Sequence, residues 1–221
     1  EWRHLLSHRR ISNELDPKSE DAADRMIPVD DRSPFERDYE RVLFSPAFRR
    51  LAGKTQVRTF PEVDYVHNRL THSMEVASIA RTLGSEIASF LMSCGDIEKQ
   101  SVDSICWICQ AAGLAHDIGN PPYGHAGEYA IQYWVSKLKE SEKIFVCDPV
   151  WKDIEFYDGN AQSFRMLCTH ESRMEEAFSF TAATTGALVK YPNTVDSSSL
   201  IDQPQKFDVF FCAIPVFEET W

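Results

Sequence analysis

The chain has 221 residues, 43% hydrophobic and 26% charged, enough for one good core. Lys plus Arg number 23 against 34 Asp plus Glu, a formal charge of −11, which argues against a basic coat for wrapping duplex DNA. No apolar run approaches the ~18 residues a membrane span needs: Val209 to Phe217 is short and carries Pro215, and Glu1 to Leu6 lack the apolar core of a signal peptide. Six cysteines are too sparse for a disulfide framework and point to reduced thiols in a cytoplasm. Cys106 and Cys109 form a single CxxC within an apolar stretch and read as buried packing rather than metal or redox chemistry.

Residues 1–32 are polar and charged and read as an N-terminal arm. Ser33-Pro34-Phe35-Glu36 is a helix start, with a capping Ser, Pro at the first position and Glu three residues on. A helix over about 34–44 follows, and Ser45-Pro46 restarts a second to about 52. Over 72–92, Val76, Ile79, Ala80, Leu83, Ile87 and Leu91 share one face at helical spacing. Residues 101–118 are apolar on nearly every face, the pattern of a central buried helix, and Gly119-Asn120-Pro121-Pro122 stops it. An amphipathic helix over about 125–140 runs through Ala126, Ala130, Trp134, Val135 and Leu138, and 160–169 and 173–190 also read as helices. From Pro192 to Gln205 the composition turns to Ser, Asp and Pro, that of a loop. The class is all-α, with a core over 33–191 and a loop-rich segment over 192–221.

The chemistry concentrates at Ala115-His116-Asp117-Ile118-Gly119, where the buried helix ends. Two costly polar groups entering an interior together need partners, and one cation satisfies both. His72 opens the other amphipathic helix, and two antiparallel helices would bring it against His116 and Asp117. That set of nitrogen and oxygen donors suits a divalent first-row metal. In Tyr123-Gly124-His125-Ala126-Gly127-Glu128, His125 and Glu128 share a helical face, placed either for a carboxylate-oriented proton transfer or for a plain capping role. Between 41 and 69 lie Arg41, Arg49, Arg50, Lys54, Arg58 and Arg69 against Glu62 and Asp64, a local charge of +4. A basic patch beside a metal suits a phosphate-rich small ligand, though such patches also form solvated, salt-bridged faces. Gln56 adds an amide able to hydrogen-bond a sugar hydroxyl or a base edge.

Four ordered blocks carry a resemblance. They are Phe48 to Val57, Asn68 to Val76, Ala115 to Glu128, and Asp158-Gly159-Asn160-Ala161-Gln162-Ser163-Phe164-Arg165. They closely resemble the bacterial dGTP triphosphohydrolases (dGTPases) of the HD-domain superfamily, from about residue 33 to 211. The resemblance implies the helical HD fold and hydrolysis of dGTP, or of dNTPs, to deoxynucleoside and tripolyphosphate. By position it makes His72, His116 and Asp117 metal ligands, His125 the catalytic histidine and Glu128 its orienting partner. It sets Arg69 on a phosphate oxygen and Gln56 toward the deoxyribose, with Lys54 and Asn120 also facing substrate. It implies a divalent ion, Mg or Mn first and Ni, Co, Zn or Fe as other candidates. It further implies a homo-oligomer, a hexamer in the family, a cytoplasmic location away from membranes, and single-stranded DNA as an effector to be tested.

One departure stands out. The family completes its metal site with an aspartate from a later helix, and Asp196, Asp202 and Asp208 fit that block poorly. The expectation is an N-terminal part of a longer helical enzyme. The alternatives are another HD phosphohydrolase, either a 5′-monophosphatase or a phosphodiesterase, and an inactive nucleotide-binding fragment.

Overall fold

A computed structural model describes residues 2–10, 31–57, 65–141, 149–168, 180–191, 209–210 and 213. Among them the secondary structure is helical, apart from isolated bridges joining Arg10 to Thr181 and Thr55 to Asn68. The helices are α1 (Trp2–Leu5), α2 (Pro34–Phe44), α3 (Pro46–Arg49), α4 (Arg69–Cys94), α5 (Ser101–Ala115), α6 (His125–Glu140), α7 (Pro149–Glu155), α8 (Gly159–Cys168) and α9 (Ala182–Leu188), with a 3-10 turn over Arg50–Gly53.

Local chemistry sets the starts. Ser33 Oγ accepts the Glu36 N–H at 3.1 Å and Ser45 Oγ accepts the Phe48 N–H at 3.0 Å, each followed by proline at the first position. Asn68 caps α4 by accepting the Thr71 N–H at 3.0 Å, so the helix opens at Arg69 and His72 lies in its first turn. Gly95, at φ 79°, closes α4 and turns the chain into the short connection to α5.

α4 and α5 form an antiparallel hairpin whose backbones approach closely through small side chains. A Cβ on Gly113 would stand 3.1 Å from the Ala77 Cα, and one on Gly84 would stand 3.1 Å from the Cys109 Sγ. α5 is the central helix, burying Ile105, Cys106, Ile108, Ala111, Leu114 and Ala115 and packing also on α2 and α9. The main core joins Val42, Phe48 and Leu51 to Leu114, Ile118, Phe164, Leu167 and Phe180. Cys106 is buried, as the packing reading expects, and burial raises the Cys109 thiol pKa, with Cys106 adding to the shift. Part of the N-terminal arm packs on the body: Trp2 and Leu6 lie against Ile97 and Ile105, and the Ala182 N–H donates to the Arg9 carbonyl.

The structure corrects several sequence expectations. α5 ends at Ala115, and residues 116–119 form a turn rather than more helix. Helix α7 is absent from the sequence reading, although Pro149 stands at its first position. On α4 the small strip Ser73, Ala77, Gly84 and Ala88 is buried, while Ile79, Leu83 and Ile87 point outward. On α6 the buried residues are Glu128 and Val135, and Trp134 is exposed. Of the expected 173–190 helix, residues 180–190 are described and only Ala182–Leu188 of them is helical, as α9, and the expected loop from Pro192 to Gln205 lies outside the described residues.

Candidate metal centre

The α4–α5 hairpin brings the start of α4 beside the end of α5. The His72 and His116 ring centroids are 5.5 Å apart. One ligand atom from each of His72, His116 and Asp117 lies within 4.8 Å of the others. The three residues expected to hold metal are therefore together in space. The orientation of His116 follows from its neighbour: Nδ1 sits 2.8 Å from the Gly113 carbonyl, which can only accept, so Nδ1 carries a proton and Nε2 is the nitrogen available to ligate in the neutral ring. Burial lowers the His72 pKa, and the adjacent His116 lowers it further, which favours the neutral, ligating imidazole. Two imidazole nitrogens and a carboxylate fit a divalent cation.

Asp117 is 6% exposed and braced on both oxygens. Oδ2 accepts Arg69 Nη1 at 2.8 Å, and Oδ1 accepts the Asn120 side-chain amide. The Asp117 turn is itself held, with the Asn120 N–H donating to the Asp117 carbonyl at 3.1 Å. Lys54 Nζ donates to the Asn120 carbonyl at 2.6 Å, and burial, then Arg69 and Arg50, lower its pKa. Arg69 Nε and Gln56 Oε1 are buried with no hydrogen-bond partner among the described residues.

The sharp turn after Pro122 puts Tyr123 at φ 67°, a backbone region few side chains adopt, and leads into α6. There His125 Nδ1 donates to Glu128 Oε2 at 2.7 Å. The His125 side chain is 69% exposed and that of Glu128 only 11%, so the carboxylate is fixed and the imidazole presents Nε2 outward. That is the orientation a proton-transfer histidine needs, beyond a capping role.

The structure divides the basic segment. Lys54 and Arg69 belong to the site, whereas Arg41 pairs with Asp38 at 3.1 Å, outside the metal-donor cluster. Arg49 and Arg50 are exposed, and Arg58 lies outside the described residues, as do Asp196, Asp202 and Asp208. Sequence reasoning assigned no role to Tyr157, Gly159 and Ser163. The Tyr157 hydroxyl donates to the Gly119 carbonyl at 2.9 Å, and Ser163 Oγ accepts the Gly119 N–H at 2.9 Å. The Asp158-to-Arg165 block was the available signal, but its contacts were not.

This geometry defines a helical domain with a His–His–Asp centre, and the HD-domain family model matches residues 69–158. The chain belongs to the HD-domain superfamily and, within it, to the family of the deoxyguanosinetriphosphate triphosphohydrolase-like proteins. A protein of that name from Pseudomonas aeruginosa is 35% identical over 99% of this chain and 48% of the relative. One from Listeria innocua is 35% identical over 86% of this chain and 42% of the relative. One from Synechocystis is 33% identical over 100% of this chain and 50% of the relative. The chain spans about half the length of the curated relatives it matches.

Proposed function

We propose that the chain serves metal-dependent hydrolysis of dGTP or other dNTPs to deoxynucleoside and tripolyphosphate. The observation that carries this reading is the convergence of His72, His116 and Asp117 within 4.8 Å, beside Arg69. The names of the relatives support the nucleotide class.

His72, His116 and Asp117 would hold the divalent ion, Mg or Mn first. When bound, that ion supplies positive charge to triphosphate oxygens and polarises water. Arg69 would hold Asp117 in place through Nη1 and offer its guanidinium charge to a phosphate oxygen. Lys54 adds a second cation at the same turn. Gln56 would offer its amide to a deoxyribose hydroxyl, and Asn120, which holds Asp117, would face the substrate. Water attacks the α-phosphorus, the bond to the 5′ oxygen breaks, and a proton must reach that oxygen. His125 Nε2 exchanges this proton while Glu128 holds Nδ1. A homo-oligomer, a cytoplasmic location and single-stranded DNA as an effector belong to the same proposal.

Incubation of the 221-residue chain with dGTP and Mn²⁺, followed by phosphorus NMR, tests the reading. Tripolyphosphate supports it. Orthophosphate or a nucleoside monophosphate would replace it with another HD phosphohydrolase. Tight dGTP binding without turnover would replace it with a nucleotide-binding role.

A further inference from the structure

The metal-donor turn and the His125–Glu128 pair meet at one backbone position on α8. Glu128 uses Oε2 for His125 and Oε1 for the Gly159 N–H, at 2.8 Å. The same residue also meets Asn120, whose amide N–H₂ donates to Asp117. A Cβ added to Gly159 would stand 2.3 Å from Asn120 Oδ1 and 2.9 Å from Glu128 Oε1. No side chain fits there unless one of those two groups moves. Gly119 faces the same turn, and a Cβ on it would lie 2.4 Å from the Gly159 carbonyl.

Two side chains close this contact. Ser163 Oγ accepts the Gly119 N–H at 2.9 Å and donates to the Gly159 carbonyl at 3.0 Å. The Tyr157 hydroxyl donates to the Gly119 carbonyl at 2.9 Å. Burial, then Glu128 and Asp158, push the Tyr157 phenol up to about 12, so it remains an O–H donor through the neutral range. The bonds from Gly159 to Glu128, Tyr157 to Gly119 and Gly119 to Ser163 span 31, 38 and 44 residues of sequence.

We infer that Gly159 is a positioning residue that couples the two halves of the site. Its N–H aims Glu128, and its bare α-carbon leaves Asn120 room to hold Asp117. One backbone position thereby sets both the metal carboxylate and the orientation of His125, with Ser163 and Tyr157 fixing its distance from the Gly119 turn. The inference rests on the functional reading only for the meaning of the two halves, and its test does not need turnover.

The test compares Gly159→Ala with the unsubstituted chain at neutral pH. The His125 tautomer is read by histidine nitrogen NMR, Mn²⁺ affinity by calorimetry, and folding by circular dichroism. The expected result is a folded protein in which His125 loses its Nδ1–H preference and Mn²⁺ affinity falls about 10- to 100-fold, the range for losing an outer partner of a metal ligand. Where dGTP turnover is measured, kcat falls and KM holds. Should Gly159→Ala fail to fold, Ser163→Ala decides, with shifts in the same two readouts of severalfold size. A folded Gly159→Ala, or Ser163→Ala in its place, with unchanged tautomer and unchanged Mn²⁺ affinity overturns the inference. Wild-type protein without turnover, but with both readouts responding, removes the proposed reaction and leaves the coupling standing.

Discussion

Two buried aspartates, Asp38 and Asp117, are each paired with arginine, and only one belongs to a site. Asp38 is fully buried, and every bond it makes closes back on the protein. Oδ1 accepts Arg10 and Arg41, each at 3.1 Å, and Oδ2 accepts the Thr181 N–H at 2.9 Å and its hydroxyl at 2.7 Å. It ties the N-terminal stretch, α2 and the start of α9 together. Asp117 is also buried and has a similar ion pair, but it faces two imidazoles. Burial and pairing are common to both. What separates a site from a structural node is the coordinating capacity left over after the protein has satisfied itself.

The largest expected effect tests the open end of that comparison. Asp117→Ala should abolish Mn²⁺ binding in calorimetry, a loss beyond the about 100-fold that an outer partner costs, and turnover should fall to background. Chelation of the wild-type chain should do the same to turnover, with recovery on adding Mn²⁺ back. Next comes His125→Ala, where the rate should fall about 10²- to 10⁴-fold while Mn²⁺ affinity is unchanged. Loss of the metal with the imidazole would reverse the roles given to His125 and the His–His–Asp set.

Asp38→Ala addresses the closed end. It leaves Arg10, Arg41 and the Thr181 N–H facing an absent acceptor. The cost should be on the order of 3 kcal/mol, the low end for breaking a buried pair, because the two arginines are 24% and 35% exposed and water reaches them. Urea denaturation measures it. Mn²⁺ affinity per folded molecule should not change, and a selective loss of metal binding would mean the two aspartates are not separate in function.

The amino-acid order alone makes much of this legible. The caps at Ser33 and Ser45 are local, so three or four residues specify them. The His72–His116 approach follows from an antiparallel hairpin and a motif that marks both ends. Two other features are not local. The Asp38–Thr181 contact spans 143 residues, and the seat of Gly159 against Asn120 and Glu128 depends on two glycine backbones meeting. The role of Arg69 also changes character. A sequence can offer it a phosphate, but only the fold shows that Nη1 is already committed to Asp117.

The smallest expected effect concerns the helix whose pattern misled. Large apolar residues at helical spacing read as the core face of α4, yet Ile79, Leu83 and Ile87 are each more than half exposed. The reason is the closeness of α5: at the approach set by Gly84 against Cys109 and by Gly113 against Ala77, only small side chains fit between the helices. The bulky residues are left to the neighbouring strip, where Leu83 and Ile87 line an open groove of about 450 Å³ that reaches His116. Leu83→Ser should therefore change the stability of the 221-residue chain by no more than about 0.5 kcal/mol. Ala88→Leu, on the fully buried strip beside Ile97 and Ile105, should cost about 1–3 kcal/mol through overpacking. Urea midpoints for the pair decide the matter. A larger cost at Leu83 than at Ala88 would restore the face that hydrophobic spacing alone selects, and would mean that another surface covers the groove in solution.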